Sequence, residues 1–337
     1  MPQLINVAGE VAYGWWYGPV ADFGLENLQI PHPMGGQRRR FSKFWRFKRW
    51  EFFSIDVGPQ LWGIAVIDLG YARAFFMYLH AKEQRQTQSD SRRIPLLPGA
   101  ILAVAHTDGA SSGRTRFLSG RFNPGFSLQV QYTPQQCHLS VENRSLQLRA
   151  ELCLQRVQPL SLCLPTGADG WTYTCKETTM PVQGWYEHQG QRFSVQDGLA
   201  SLDLSLGLLR RETSWQWCSL MGVVNQQRIG VNLALGVNES GQTENALWVD
   251  GQLYKLPAVS FHPRPGGCLI RGDGVQLEFT GDADHGEKLN IGLLASRFRQ
   301  YQGRYSGALR GGNAADAGPW ITLEGISGLW EDHYVRW

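Results

Sequence analysis

Hydrophobic and polar positions alternate with a period of two along much of this chain. Phe126-Ser-Leu-Gln-Val-Gln-Tyr132 is apolar at every even position. Leu146-Gln-Leu-Arg-Ala-Glu-Leu-Cys-Leu154 repeats the pattern, with Gln147, Arg149 and Glu151 turned the other way. Side chains of a strand point alternately to its two faces, so these segments read as half-buried antiparallel strands. More continuously apolar runs precede them: Glu51 to Val57, Leu61 to Ile67 and Ala72 to Leu79. Gly58-Pro59 and the Asp68 to Tyr71 segment separate these runs as turns, which predicts a meander. The polar segment from Lys82 to Arg93 reads as a loop, and residues 1–40 as a loop with one short strand.

The second half carries the same grammar. Trp171 to Glu177, Gly184 to Glu187, Gly198 to Leu206, Trp215 to Trp217, Val275 to Phe279, Ile291 to Arg299, Gly303 to Gly307, Trp320 to Leu323 and Gly328 to Trp337 are candidate strands. Between them lies a hairpin built from Gly230 to Val237 and Glu244 to Gly251. Its first strand puts Val231, Leu233 and Leu235 on one face and Asn232 and Ala234 on the other; its second separates Glu244, Ala246 and Trp248 from Asn245, Leu247 and Val249. Many short strands with frequent turns predict barrels or sandwiches. Pro165-Thr-Gly-Ala-Asp-Gly170 is the strongest cluster of breakers, so the expected organisation is two consecutive antiparallel β domains, 1–165 and 166–337. A ligand cleft is expected within or between them.

Composition narrows the function. A chain of 337 residues with 42% hydrophobic and 18% charged residues is globular, and its 13 tryptophans favour β structure. The 32 basic and 29 acidic side chains nearly balance, which gives no reason to expect a nucleic-acid partner. Basic residues interleave with aromatics from Arg38 to Trp50, but a strand pattern follows at once. Long basic side chains lie readily along an aromatic sheet surface. The N-terminus has no basic stretch followed by an apolar core, no run approaches the length of a membrane helix, and the six cysteines show no C-x-x-C spacing. The expectation is a cytoplasmic protein with no integral membrane contact and buried thiols.

Carboxylates in apolar strands are the candidate chemistry, because desolvation raises a carboxyl pKa towards the range of a general acid. Glu177 shares a strand face with Trp171, Tyr173 and Cys175, while Lys176 faces away. Asp203 lies between Leu202 and Leu204, where a charge needs a partner. Glu244 opens the second hairpin strand, and Glu331, Asp332 and His333 sit in the C-terminal aromatic segment. No G-x-S-x-G elbow, phosphate loop or dinucleotide fingerprint is present, and the eight histidines show no metal-binding spacing.

Several of these residues also carry a family resemblance. In the second half they are Tyr173-Thr-Cys-Lys-Glu177, Pro181-Val-Gln-Gly-Trp185, Leu202-Asp203, Thr213-Ser-Trp-Gln-Trp217, Gly230-Val-Asn-Leu233, Glu244 to Gly251, Gln302-Gly303, Gly307, and Gly328 through Glu331 to Trp337. Lys48-Arg-Trp-Glu-Phe-Phe53 and Ile67-Asp-Leu-Gly-Tyr71 contribute from the first half. Together they resemble an uncharacterised family, domain of unknown function 2804, over most of the chain. The Arg-rich stretch at Arg38 to Arg40 and the Gly-rich segment from Gly311 to Gly318 depart from the pattern. That family is itself similar to two-domain lipocalin-like proteins: carotenoid hydratases, tocopherol cyclases and fungal Diels–Alderases. The resemblance implies two lipocalin-like β domains, no cofactor and an apolar or amphipathic small-molecule ligand.

The expected activity is therefore cofactor-independent acid/base chemistry on such a molecule, as hydration, isomerisation or cyclisation. Glu177 and Glu244 are the expected acid/base pair, oriented by Asp203 and Asn232, with Lys176 holding a carboxylate ionised. Trp215, Trp217 and Trp248 are the expected apolar wall, and Trp185, Asn245, Glu331 and His333 further ligand contacts. No metal is expected. Two alternatives stay open: a glycoside-acting enzyme with paired carboxylates and tryptophan platforms, and a non-catalytic lipid or terpenoid carrier.

Overall fold

The computed structural model describes the chain except residues 1–2, 31–33, 35, 37–44, 96–109, 119–124, 168–169, 237–241, 291–293 and 312–317, and the side chains of 94, 95 and 118. The basic stretch therefore falls largely outside the described residues, as does most of the Gly-rich segment from Gly311 to Gly318.

Twenty-one strands are described. The first twelve are β1 Gly14–Trp15, β2 Phe47–Asp56, β3 Gln60–Asp68, β4 Ala72–Ala81, β5 Gln86–Pro95, β6 Gly113–Leu118, β7 Phe126–Tyr132, β8 Gln136–Asn143, β9 Leu148–Gln155, β10 Leu160–Thr166, β11 Gly170–His188 and β12 Gln191–Leu208. They form one sheet in the order β5-β4-β3-β2-β12-β11-β9-β8-β7-β6, with β10 on β11 and β1 on β10. The remaining nine are β13 Glu212–Val224, β14 Gln227–Leu235, β15 Ala246–Val249, β16 Gln252–Lys255, β17 Val259–Arg264, β18 Gly267–Gly272, β19 Val275–Asn290, β20 Ala295–Leu309 and β21 Ile321–Arg336. Their order is β16-β15-β14-β13-β21-β20-β19-β18-β17. The pairings of β12 with β2 and β11, those from β11 through β9 to β6, those of β10 with β11 and β1, and all those of the second sheet are antiparallel. The fold is all-β, as the alternation predicts.

Each sheet curls into a half-barrel. In the first, Phe75 of β4 meets Phe126 of β7 with ring centroids 3.8 Å apart and Phe117 of β6 at 5.5 Å, although these strands stand towards opposite ends of the sheet. In the second, Leu220, Val231, Leu247, Phe261, Ile270, Leu277, Tyr305, Leu323 and Trp330 gather from eight of the nine strands into one apolar core. Asp250-Gly251 joins β15 to β16 as a two-residue turn with φ 50° and 85°. Both residues need the left-handed region there, which is the reason for Asp-Gly at this position.

Two expectations are corrected. The segment from Lys82 to Arg93 is not a loop: most of it is β5, an edge strand beside β4, and being polar on both faces it shows no alternation. A charged, polar edge also discourages pairing with another chain. The boundary does not fall at 165/166. β11 and β12 complete the first sheet, β12 pairing with β2 over Leu199↔Asp56 to Leu208↔Phe47. The compact units are Met1–Gly58, Trp62–Tyr78 and Gln88–Leu209 on one side, and Arg210–Trp337 with Pro59–Leu61 and Leu79–Thr87 on the other. The Pro165 to Gly170 cluster is only the passage from β10 to its neighbour β11.

Several expected short strands also prove to be single long ones. β20 and β21 run through what the sequence divides at Gly303 and Gly328. In β11 the register shifts between Glu177 and Met180, where Thr179 has φ 64°. That bulge is where β11 exchanges β10 for β9 as its neighbour.

Candidate functional site

In the first unit, each expected site residue has a protein partner. Alternation puts Glu177 on the same face of β11 as Tyr173 and Cys175, in a stretch, Gly170 to Met180, that is buried on both faces. There its carboxylate accepts from Arg156 Nε at 2.9 Å and from Arg156 Nη2, and from the Val157 amide at 3.1 Å. Arg156 in turn donates to the Ala110 carbonyl at 2.9 Å. Burial alone would depress the guanidinium pKa, but the Glu177 charge and hydrogen bond hold it above its usual value. These are the contacts of a buried ion pair.

Lys176 and Asp203 are register partners on β11 and β12 and form an ion pair, with Ser205 Oγ donating to Asp203 at 3.3 Å. Asp203 thus has the partner its apolar setting demands. Trp185 lies between Arg192 at 3.9 Å and Arg149 at 5.7 Å, a cation–π sandwich across three strands. At the described end of the basic stretch, Lys48 donates to the carbonyls of Trp45 and Leu69. Burial pushes the Lys48 pKa down to about 8.

Glu51 carries a signal the sequence reading missed. It is fully buried, and Tyr132 Oη and Thr115 Oγ1, at 2.8 Å for the latter, donate to its two oxygens. Desolvation raises its pKa above the ordinary 4.5, outweighing the charge of Arg49 and the Thr115 hydrogen bond. A carboxylate followed directly by Phe52-Phe53 is the clue that was available. Because the folded pKa lies above the unfolded one, the native state holds a proton that the unfolded chain releases above about pH 4.5. The Glu51 contribution to stability is therefore present at low pH and lost as pH rises through the folded pKa. Glu51→Gln should match the wild type in urea denaturation near pH 4 and exceed it increasingly towards neutral pH. A wild type that gains on Glu51→Gln as pH rises would mean that Glu51 is buried as the anion.

The thiols offer no nucleophile. All six cysteines are free, and burial pushes Cys163, Cys175 and Cys218 up to about 12. At neutral pH they are protonated and unreactive. Among the described residues, no group of three or more His, Cys, Asp or Glu is placed to hold a metal.

The second unit gathers the other candidates on the sheet face opposite its apolar core. Trp330 of β21 and Cys218 of β13 belong to the core, so their strand neighbours point the other way. That face presents Trp215 and Trp217 from β13, Asn232 from β14, Trp248 from β15, Gln300 and Gln302 from β20, and Glu331 and His333 from β21. All are buried except Trp215, which is half-buried. Asp332, between Glu331 and His333, falls on the opposite face and pairs with Arg297 at 3.3 Å.

The carboxylate of Glu331 is held at both oxygens. Trp215 Nε1 donates to Oε1 at 2.7 Å and Gln300 Nε2 to Oε2 at 2.9 Å. His333 Nδ1 lies 3.7 Å from Oε1. The imidazole packs on Trp215 with ring centroids 4.1 Å apart and meets Phe298 edge-on at 5.1 Å. Its Nε2 is 3.2 Å from Ser296 Oγ. The polar chain continues the other way: Gln302 Nε2 donates to the Gln300 carbonyl at 3.3 Å, Thr87 Oγ1 to Gln302 Oε1 at 3.3 Å, and Thr87 meets His80 Nδ1 at 3.0 Å. Burial lowers the His80 pKa, opposed by Asp282, which Arg304 and Arg85 flank. Period two marks Phe298, Gln300 and Gln302 as one strand face, a clue for the glutamines; nothing in the sequence joins Thr87 or His80 to them.

The hairpin from β14 to β15 is tied together by its amides. Asn232 Oδ1 accepts from Trp217 Nε1 at 2.7 Å and its Nδ2 donates to the Glu244 carbonyl at 2.8 Å. Asn245 accepts from the Ala234 amide and donates to the Pro257 carbonyl, each at 2.8 Å. Both amides act on the protein itself. Glu244 is buried, and its charge works against the burial that lowers the Lys255 pKa to about 8.

The same fold occurs in a solved structure. The crystal structure of an AttH-type protein from Nitrosomonas europaea is 14% identical with a TM-score of 0.52, covering 90% of this chain and 99% of its own. CghA is 10% identical with a TM-score of 0.48, covering 86% of this chain and 88% of its own. Kievitone hydratase from Nectria haematococca is 8% identical with a TM-score of 0.47, covering 88% and 90%. At 14% identity the likeness to the Nitrosomonas protein is one of fold alone. No curated protein matches the chain. The family model described as "Domain of unknown function (DUF2804)" matches residues 2–337, and the chain belongs to that family.

Proposed function

We propose that this chain is a cofactor-independent enzyme acting by proton transfer on a small apolar or amphipathic molecule, with Glu331 and His333 as its acid/base couple. The observation that carries the reading is a buried carboxylate, fixed at both oxygens, set 3.7 Å from an imidazole that packs on an indole. A fixed carboxylate orients the imidazole and stabilises the cation formed when it takes a proton. Trp215 and Phe298 form the apolar wall, and an indole face also stabilises positive charge developing on a substrate. Hydration, isomerisation and cyclisation all fit such a couple. Glu244 beside Lys255 is the alternative proton donor on the same sheet. Paired carboxylates for glycoside cleavage find less support, since Glu177 and Asp203 are each committed to a cation.

Native mass spectrometry of the purified protein, before and after organic extraction, tests the reading. A weakly polar molecule should be retained and identified in the extract, and its occupancy should fall in Trp215→Ala. A protein that carries nothing and shows no thermal shift with any member of an apolar compound library would rule the proposal out.

A further inference from the structure

The geometry points to a second chemistry at this site: Ser296, His333 and Glu331 form a nucleophilic triad competent for hydrolysis of apolar carboxylic esters. Sheet register builds it. His333 of β21 is paired with Phe298 of β20, and Ser296 lies two residues before Phe298, diagonally across from the imidazole on the same face. Glu331 lies two residues before His333 on its own strand, so all three side chains share that face. Ser296 Oγ is 3.2 Å from His333 Nε2, and Glu331 Oε1 is 3.7 Å from Nδ1 on the far side of the ring. With Nδ1 carrying the proton, Nε2 accepts from the hydroxyl.

This is the order nucleophile, base, orienting carboxylate, which is recognised by geometry and not by sequence position. The orienting end is rigid, because Trp215 and Gln300 hold the carboxylate while Trp215 and Phe298 confine the imidazole. The nucleophile end is reachable, since Ser296 is only half-buried. At 3.7 Å the carboxyl–imidazole contact is longer than a hydrogen bond; catalytic hydrogen bonds are often long without substrate and tighten in the substrate or transition-state complex.

The steps balance with water as the only co-reactant. Ser296 Oγ attacks the ester carbonyl carbon as its proton passes to His333 Nε2, and Glu331 stabilises the imidazolium. The tetrahedral intermediate collapses, the C–O bond to the alcohol breaks, and the alcohol leaves with the proton from Nε2. Water, deprotonated by His333 Nε2, then attacks the acyl carbon; the bond from that carbon to Ser296 Oγ breaks, Oγ takes the proton back from Nε2, and the carboxylic acid is released. The flanking Trp215 and Phe298 favour an apolar acyl or alcohol portion.

The inference rests on the Glu331–His333 couple of the acid/base reading but adds a covalent intermediate, and an alkyl fluorophosphonate tests that addition directly. The wild type should gain one phosphonyl group, and peptide mapping of that labelled wild type should place it on Ser296, so the result does not depend on a variant folding. Labelling should vanish in Ser296→Ala and slow by at least about 100-fold in His333→Gln. An unlabelled wild type, or an adduct mapped elsewhere, overturns the triad. If such a protein still yields an extractable apolar molecule, the proton-transfer reading stands; if it yields none and no member of an apolar compound library shifts its melting temperature, both fall.

Discussion

Replacing Arg156 by methionine is expected to destabilise the first unit by about 3–5 kcal/mol, the cost of removing one partner from a buried ion pair. Glu177 is inaccessible to water, and two of its three hydrogen bonds come from Arg156. Without the guanidinium, the carboxylate keeps only the Val157 amide. It must then stay charged in a low-dielectric setting or take up a proton. Methionine fills similar volume, so little of the loss should come from a cavity. The Ala110 carbonyl, which accepts from Arg156, loses a donor as well. Urea denaturation of Arg156→Met measures the cost. Adding Glu177→Gln should recover a large part of it, because the stranded charge is then gone. A double variant no more stable than Arg156→Met would show that packing, not charge, is the reason for the pair.

A second large effect is expected in turnover. With the extracted molecule or a congener as substrate, Glu331→Gln should lower kcat by about 10²–10⁴-fold, the usual contribution of a positioned proton-transfer group. The fold should survive. The side-chain carbonyl of the substituted glutamine can accept from Trp215 Nε1, and Gln300 can turn its amide to accept from the new donor. The melting temperature of Glu331→Gln should therefore stay within a few degrees of the wild type. Glu244→Gln is the necessary comparison, since Glu244 stands beside a second titratable group, Lys255. Full activity in Glu331→Gln with loss in Glu244→Gln would move the chemistry to the hairpin.

The contrast between Glu177 and Glu331 shows how far a sequence can be read. Both stand out as carboxylates among aromatics on a strand face, and the structure buries both. Their difference lies in what faces them: a guanidinium from the segment between β9 and β10 for Glu177, an indole and an imidazole for Glu331. Arg156 is 21 residues from Glu177, and Trp215 is 116 from Glu331. No local pattern encodes either meeting. Asn232 and Asn245 were legible as polar residues in an apolar hairpin, but their work is to bind neighbouring backbone and Trp217.

The sequence by itself determined that the chain is β structure, which residues share a strand face, and that Glu331, His333, Trp215 and Trp217 are candidates for a site. These follow from a period of two, which is a property of a few consecutive residues. Tertiary structure alone decided that β11 and β12 belong to the first sheet, that the division falls at Leu209, and that Thr87 meets Gln302 across 215 residues. It alone set Ser296 against His333 as well. Alternation fixes the face of a side chain, but the identity and register of the neighbouring strand fix its partner. The entropy of closing a loop grows so slowly with length that sequence distance gives little guidance to which strands pair. That choice falls to the packing of the whole sheet.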